Sequence, residues 1–532
     1  MNLKAALTEW TGLLGTGGVA SDTQTLDHYA RSTMPKGTRP AAVLYPQTTQ
    51  DCAALVRIAA GHHCPLYPLS RGKNWGYGDA CAVSDGQVIV DLKKMNRIIE
   101  VNEELAYAVI EAGVTQGQLS DYLLNNHPGL ILDVTGAGPD ASIVGNTLER
   151  GFGHTPYGDH FTMSAGYEVV LPDGNVITTG FGHHDHAKTT YCYKAGIGPS
   201  LDGLFTQSNF GIITKMGVFL LSRPAHVLAF AIILKDNNTL SRCVDALRPL
   251  RHAGLLQSAI HIGNDLRAMS ARGHYPWDQL QGQTPLPKNL RETLIKKMSL
   301  GAWNVVGAIY GTKGTNRGVK RELKKAMRGI ARVKFFDEAL LKTGIKILGV
   351  TRRLGFGAKL LEMANAVSPV FDLLMGRPSP KHLSGAGWRS RRETLKDNPD
   401  PLDNNWGFLW VSPVVPMTGD HALRILKIVE PVFEKYRFEP LITMTAITAR
   451  ALDCVMTVAY DRENPAESQS ALTCYDELFA AILREGYPPY RCGIRSMSKI
   501  FADKSPYAVF LQTIKTSIDP QGIISPGRYV PL

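Results

Sequence analysis

The segment GAGPDASIVGNTLERGFGHTPYGDHF, residues 136–161, contains six glycines and few charged side chains. Most of its other side chains are small, so the main chain is accessible along much of the segment. Glycine permits turns with positive φ and lets the backbone approach a bound molecule closely. This composition is typical of a wall that contacts a ligand through backbone groups.

Two further segments have the same character. In SRGKNWGYG, residues 70–78, three glycines follow the strand-like run LYPLS, and free N–H groups there can receive a phosphate. The pattern is neither GxGxxG nor GxxxxGK[ST], so it does not support a Rossmann fold or a Walker loop. In GPSLDGLFTQSNFGIITK, residues 198–215, small polar residues and Gly211 precede an apolar strand. Three glycine-rich segments this close together predict one large ligand, for which a dinucleotide cofactor is the simplest candidate.

The composition excludes several classes of protein. Of 532 residues, 44% are hydrophobic and 20% charged, which is ordinary for a globular protein and excludes a disordered, collagen-like or coiled-coil chain. No apolar run approaches the roughly 18 residues of a membrane span, and a secretory signal pattern is not evident. The eight cysteines lack CxxC spacing, so no metal site is predicted. Scattered thiols fit a reducing compartment, and we expect a cytoplasmic location.

The net charge of +11 keeps a second class of function open. Basic surfaces attract nucleic acids, anionic membranes and acidic proteins. Residues 313–334 contain nine basic side chains and one acidic side chain, and residues 340–376 mix apolar with basic side chains. A protein that binds polyanions or a membrane surface is therefore one alternative, although a solvated helix followed by a buried insertion explains the same pattern.

The order of the predicted elements changes near Pro224. Before it, short apolar strands alternate with helices, and the Asp-Gly turn in residues 167–180 predicts a hairpin. After it, longer strands such as residues 225–234 alternate with amphipathic helices, which indicates an antiparallel sheet covered by helices. We therefore predict an α+β protein with a first domain at 1–224, to which residues 495–532 return, and a second domain at 225–494.

Six segments spread over nearly the whole chain carry a resemblance to a known family. They are PLSRGKNWGYGDA (68–80), VGNTLERGFGHTPYGDHF (144–161), DGLFTQSNFGIITK (202–215), LMGRPSPKHLSGAGWR (374–389), YPPYRCGIR (487–495) and DPQGIISPGR (519–528). Together they resemble the vanillyl-alcohol oxidase and p-cresol methylhydroxylase family of FAD-dependent 4-phenol oxidoreductases. The resemblance implies a two-domain FAD-binding fold with an antiparallel-sheet cap domain.

The resemblance also implies which residues hold the FAD. The pyrophosphate would lie against the first glycine-rich segment, and the flavin and ribityl groups would lie against the second and third. An arginine near the C-terminus would close the flavin site. The implied cofactor-binding residues are Ser70, Arg71, Gly72, Lys73, Asn74, Gly76, Gly145, Asn146, Gly151, Gly153, Asn209, Gly211, Ile213 and Arg528.

On the substrate side, the resemblance implies that Tyr77, Tyr490 and Arg491 hold a phenol as its phenolate. A free phenol has a pKa near 10. A guanidinium keeps its charge and donates hydrogen bonds in a fork, and hydrogen bonds to the phenolate oxygen lower the phenol pKa further. A phenolate can release a hydride from its benzylic carbon to flavin N5, which leaves a para-quinone methide that water attacks. Tyr157 is implied as a further pocket residue, and Asp140 as a base.

Two positions depart from the family pattern. Where relatives bond the flavin to a histidine of the cap domain, this chain has Asp453 and Cys454. Where another branch uses a tyrosine, this chain has Gly387. We therefore expect FAD to be bound non-covalently, and we expect extra room for a bulky substrate such as a eugenol-like or lignan-like phenol.

The sequence leaves the partners and one enzymatic alternative open. Family members pass electrons to oxygen or to a cytochrome, so a cytochrome c that docks on the basic segment is one possible partner. A homo-oligomer is expected, and no nucleic-acid partner is expected. A FAD-dependent 2-hydroxy-acid dehydrogenase would share the fold, but Tyr77 and Tyr490 favour a phenolic substrate.

Overall fold

The computed structural model describes residues 1–280, 282–341, 368–395, 400–502 and 505–531. The part of the chain before residue 223 alternates short strands with helices. Its strands are β1 (Val19–Ala20), β2 (Ala42–Leu44), β3 (Leu66–Leu69), β4 (Val88–Asp91), β5 (Ile98–Asn102), β6 (Tyr107–Glu111), β7 (Leu130–Ile131), β8 (Ser164–Val170), β9 (Val176–Thr178), β10 (Ile212–Phe219) and β11 (Leu221–Ser222). Its helices are α1 (Leu3–Leu14), α2 (Thr23–Tyr29), α3 (Thr49–His62), α4 (Gln116–Asn126) and α5 (Ile143–Leu148).

These strands form two main sheets. The smaller sheet has the order β1-β2-β4-β3, with β2 and β3 parallel to β4, and the larger has the antiparallel order β5-β6-β10-β8-β9. α3 leads into β3 and starts at a capping box, in which Thr48 and Asp51 each accept the other's backbone N–H. The chain then leaves the carboxyl end of β3 as the glycine-rich segment 70–78. Loops at this end of a parallel strand are free to contact a ligand.

Between residues 226 and 460 the chain builds one large antiparallel sheet. Its strands are β12 (His226–Leu234), β13 (Ile260–Asn264), β14 (Trp303–Gly311), β15 (Val333–Phe336), β16 (Gly407–Val411), β17 (Val414–Pro416), β18 (Leu441–Ala446) and β19 (Ala451–Tyr460). The helices from here onward are α6 (Asn237–His252), α7 (Asp265–Ser270), α8 (Lys288–Met298), α9 (Lys313–Ala326), α10 (Gly419–Lys435), α11 (Pro465–Arg484) and α12 (Pro506–Ile518).

The sheet has the order β15-β12-β14-β13-β18-β19-β16, and β17 also pairs with β19. α6, α10 and α11 cover it and bury apolar side chains such as Leu247, Val429 and Leu478 in one core with the strands. Fully burying a leucine of this kind stabilises the fold by about 1.5–3 kcal/mol. The strands and these three helices therefore share one apolar core.

The C-terminal tail packs against the first part of the chain. The N–H of Leu66 donates to the carbonyl of Ile523 at 2.8 Å, and the N–H of Ser525 donates back to Leu66 at 2.7 Å. Lys515 is fully buried, pairs with Asp519 at 2.5 Å and donates to the carbonyl of Asn209 at 2.6 Å. These bonds place residue 528 beside the loop that follows β3.

The predicted α+β architecture with an antiparallel second sheet is confirmed. Ser412 and Pro413 separate β16 from β17. Most of the segment 340–376 lies outside the described residues. In the part that the structure describes, no helix combines the length and the apolar character that crossing a membrane requires.

Candidate active site

A cavity of about 350 Å³ lies between the first part of the chain and the large sheet. The first part contributes the segment 67–75 and glycine-rich loops between residues 135 and 213. The large sheet contributes side chains of β13, β18 and β19, and the C-terminal tail contributes Arg528. The cavity therefore collects residues that lie more than 400 positions apart in the sequence.

One end of the cavity is suited to a phosphate. Residues 70–74 all line it, and Gly72 has a φ of 63°, a left-handed conformation that favours glycine. Within the described part of the chain, the main-chain N–H groups of residues 70–74 donate no hydrogen bond. Unpaired N–H groups in a tight loop form a concave site for an anion, so this loop fits the pyrophosphate of a dinucleotide.

The other residues predicted to contact the cofactor divide into two groups. Six line the cavity with the loop: Gly145, Asn146, Gly151, Gly211, Ile213 and Arg528. Three do not line it: Gly76, Gly153 and Asn209.

Each of the three residues outside the lining has a structural contact instead. A Cβ on Gly76 would press on Phe408, and a Cβ on Gly153 would overlap the Asp133 carboxylate. The Asn209 side-chain amide donates to the carbonyl of Val530 at 3.0 Å, which holds the C-terminal tail. These three residues therefore support the walls of the cavity, and their direct contact with the cofactor stays a prediction.

Glu149 contacts two positively charged side chains of the cavity, a role that the sequence did not suggest. Its carboxylate pairs with Arg528, accepts a hydrogen bond from the Tyr529 hydroxyl at 3.0 Å and lies 3.9 Å from Arg491. Burial alone would lower the pKa of both arginines, yet the negative charge of Glu149 helps to raise each above its usual value. Two guanidiniums thus share one carboxylate, which leaves this cluster with a net charge of +1.

The three residues predicted to bind a phenolate lie together. The Arg491 guanidinium carbon is 4.2 Å from the centroid of the Tyr77 ring, and its Nη2 donates to Asn74 Oδ1 at 2.5 Å. The Arg491 Nε is buried and has no hydrogen-bond partner among the described residues. Tyr77, Tyr490 and Arg491 all line the cavity. Because Arg491 lines the cavity, its guanidinium charge lies where a substrate oxygen can bind.

Both tyrosines are held in position as hydroxyl donors. Tyr77 is 2% exposed, and its hydroxyl is 2.6 Å from Ser412 Oγ, in the break between β16 and β17. The backbone of Tyr490 is fixed by an N–H bond to the Ser412 carbonyl at 3.1 Å. Burial raises the pKa of both hydroxyls despite the nearby charge of Arg491, so both stay protonated at neutral pH.

Two predicted substrate residues lie elsewhere. Asp140 is exposed at a loop tip after Pro139 and does not line the cavity, so its position does not support the expected role as a base. Tyr157 lines a separate small cavity near His160 and not the main one, so its expected place in the substrate pocket stays a prediction. His160 bonds Asp133 at 2.8 Å, and this pair supports the wall behind the main cavity.

Gly387 does not provide room for a bulky substrate. A Cβ at this position would overlap the indole of Trp406. The buried Trp406 side chain therefore fills the space that a larger residue at position 387 would occupy. Asp453 and Cys454, the other departure from the family pattern, also do not line the cavity. These positions therefore do not support the expectation that the cavity has extra room for a bulky substrate.

A further group of cavity residues escaped the sequence analysis. His154, His261, His382 and Arg267 line the wall formed with the large sheet. The rings of His154 and His261 have centroids 4.4 Å apart. In the described residues, no group of three or more His, Cys, Asp or Glu side chains is arranged to hold a metal ion. His154 stands inside the motif at 144–161, which was the one available signal.

Comparison with known proteins agrees with this geometry. Residues 40–180 match the model of an FAD binding domain. The chain is 37% identical to the 1'-carboxy-chondrochloren decarboxylase of Chondromyces crocatus, over 99% of this chain and 97% of that protein. It is 32% identical to the flavoprotein subunit of the hydroxylating 4-cresol dehydrogenase of Pseudomonas putida, over 98% and 94%. A substrate-bound crystal structure of p-cresol methylhydroxylase superposes with a TM-score of 0.88 at 30% identity, covering 100% and 97%.

The fold and the cavity define an FAD-dependent oxidoreductase, and the loop at 70–74 fits the cofactor's pyrophosphate. The chain belongs to the vanillyl-alcohol oxidase and p-cresol methylhydroxylase family. The predictions of the family, the enzyme class and FAD are thereby confirmed. The substrate is a separate question, since the fold also carries 2-hydroxy-acid dehydrogenases.

Proposed function

We propose that this enzyme oxidises the benzylic carbon of a para-substituted phenol, such as a 4-alkylphenol. The observation that carries the proposal is the buried Arg491 guanidinium, which stands over Tyr77 with an unpaired Nε. A phenolate oxygen can accept hydrogen bonds from this guanidinium and from the two tyrosine hydroxyls beside it. The two full-length relatives are named for a decarboxylation and a hydroxylating dehydrogenation. We propose that this enzyme catalyses the second type of reaction, a hydroxylating dehydrogenation.

The protein's contribution is to ionise and orient the phenol. Arg491 supplies the positive charge, and Tyr77 and Tyr490 supply neutral hydroxyl donors, so three groups stabilise the phenolate oxygen. The charge of Arg491 is not cancelled, because Glu149 also pairs with Arg528. The ring of the substrate would pack in the cavity between Phe152 and the large sheet.

FAD, when bound, supplies the two-electron acceptor for the hydride that leaves the benzylic carbon. The ionised oxygen donates electron density through the ring to the para position, so the oxidised substrate is a para-quinone methide. Water then adds to the benzylic carbon and gives an alcohol. The position of Asp140, exposed and outside the cavity lining, does not support it as the base.

The test is anaerobic bleaching of the flavin absorbance. We expect 4-ethylphenol to bleach the holoenzyme and D-lactate, a representative 2-hydroxy acid, to leave it oxidised. The natural electron acceptor does not affect this result, because only the reductive half-reaction is followed. Bleaching by D-lactate without bleaching by 4-ethylphenol would assign the chain to the hydroxy-acid branch instead.

We also propose that FAD is held without a covalent bond. The proposal is supported by Asp453 and Cys454, which stand where histidines anchor the flavin in relatives and do not line the cavity. Acid precipitation is expected to leave all the yellow colour in the supernatant. Flavin fluorescence on the denatured chain would contradict this, and peptide mapping would then test His154, His261 and His382, the histidines that line the cavity.

A further inference from the structure

We propose that Arg267 binds a carboxylate on the para substituent of the phenol, so that the preferred substrates are 4-hydroxyphenyl compounds with an acidic side chain. This inference rests on the proposed function and specifies its substrate class. Arg267 lies on α7, which follows β13 of the large sheet, and it lines the cavity. It therefore belongs to a different wall from Arg491, which contacts Asn74, Tyr77 and Glu149.

Arg267 has no counter-ion in the described part of the chain. Its only side-chain hydrogen bond there is from Nη1 to Ser270 Oγ at 3.3 Å, which is long. Among the described residues, no acidic side chain contributes to the electrostatic surroundings that shift its pKa. Burial lowers the pKa of Arg267, and no neighbouring acid offsets that effect. A guanidinium removed from water without an anion is costly unless a ligand supplies one.

Other arginines of the same unit have partners in the protein. Arg251 donates to main-chain carbonyls such as that of Leu256 at 3.1 Å. Arg389 is buried between Glu439 and Glu467, and the partly exposed Arg291 holds Asp265 at 2.6 Å through two nitrogens. These pairs are expected for arginines that stabilise a fold. Arg267 differs from them because it faces the cavity and lacks such a partner, which is the arrangement expected for ligand recognition.

The surroundings of Arg267 are built for an anion. His261 bonds Thr445 Oγ1 through Nδ1 at 3.1 Å, while its Nε2 is buried without a partner among the described residues. Burial lowers the pKa of His261 well below its usual value and that of His382 to about 4, so both imidazoles are neutral. The one N–H of neutral His382 is used by its bond from Nε2 to the Pro369 carbonyl at 3.0 Å, so only His261 has an N–H left for a ligand. Arg267 remains the fixed positive charge of this wall.

Gly385 makes room for the guanidinium. A Cβ on this residue would stand 2.7 Å from Arg267 Nη1, so any other residue would displace the arginine. The planar fork of an arginine matches the two oxygens of a carboxylate. With the phenolate oxygen on Arg491 and a carboxylate on Arg267, a substrate with one anionic group at each end would be held across the cavity.

Calorimetric titration of the holoenzyme at pH 7.5 tests the inference. The probes are 4-hydroxyphenoxyacetate and its amide, which have the same shape but have no benzylic carbon to oxidise. We expect the carboxylate to bind roughly tenfold to a hundredfold more tightly than the amide, as for a charged hydrogen bond. In Arg267→Met that ratio is expected to fall to about one, and in Arg267→Lys to an intermediate value.

Arg272→Met is the matched control, because Arg272 is exposed and outside the cavity lining, and it should keep the wild-type ratio. Equal affinity for the two probes in the wild-type enzyme would overturn the inference. If the ratio of affinities for carboxylate and amide were unchanged in Arg267→Met, the inference would also be overturned, whether or not the variant loses FAD. Arg267 would then be assigned a role in cofactor binding or in the fold. Bleaching by 4-ethylphenol without a carboxylate preference would leave the proposed function standing, whereas absence of bleaching would refute that function separately.

Discussion

Replacing Arg491 with methionine is expected to slow the reduction of the flavin by 4-ethylphenol roughly a hundredfold to a thousandfold, the usual effect of removing one oxyanion donor. Methionine keeps the apolar part of the side chain but removes the guanidinium, with its charge and all of its N–H donors. The neutral phenol would still bind against Tyr77 and Tyr490, but it would no longer be ionised. Stopped-flow absorbance under anaerobic conditions measures this rate.

The pH profile separates loss of ionisation from general damage. In the variant, the rate should rise about tenfold per pH unit below a pH of about 10, because only the ionised fraction of free phenol reacts. In the wild-type enzyme the rate should be nearly flat above neutral pH. Arg424→Met, at an exposed position of α10, is the control and should behave as wild type. An Arg491→Met enzyme within threefold of wild type would show that the guanidinium does not activate the substrate.

The second large effect concerns the bound phenol itself, whose pKa is expected to fall from about 10 to about 7 or lower. The cluster of Arg491, Arg528 and Glu149 carries a net charge of +1. A unit charge about 4 Å from the phenolate contributes ~4 kcal/mol at an effective dielectric constant of ~20, which corresponds to about three pH units. Hydrogen bonds from Tyr77 and Tyr490 add to this, and burial opposes it. Because the pKa of both tyrosines is raised, they remain donors throughout that pH range.

Motifs made part of the site predictable from sequence. The loop at 70–74 and the pair Tyr490-Arg491 stand in segments whose composition or flanking residues are distinctive. Their meeting across 417 positions, shown by the bond from Arg491 to Asn74, could be inferred only from the family resemblance. Local sequence patterns fix turns and strands, but long-range contacts depend on how the two sheets pack.

Other expectations depend on surroundings that the sequence does not show. The resemblance implies Asp140 as a base, but the structure places this residue at an exposed turn after Pro139. Gly387 suggested open space, because the sequence could not show that the Trp406 indole fills it. Arg267 was overlooked because an arginine on a short helix is usually solvated, and only the tertiary structure shows that it faces a cavity without an acidic partner.

The ionisation state of a bound phenol tests the central claim most directly. 4-Bromophenol has no benzylic carbon, so its spectrum can be followed on the oxidised holoenzyme by ultraviolet difference absorbance. At pH 7.5 we predict the phenolate spectrum in the wild-type enzyme and the neutral phenol spectrum in Arg491→Met. A wild-type complex that keeps the neutral spectrum until the pH reaches about 10 would contradict the account.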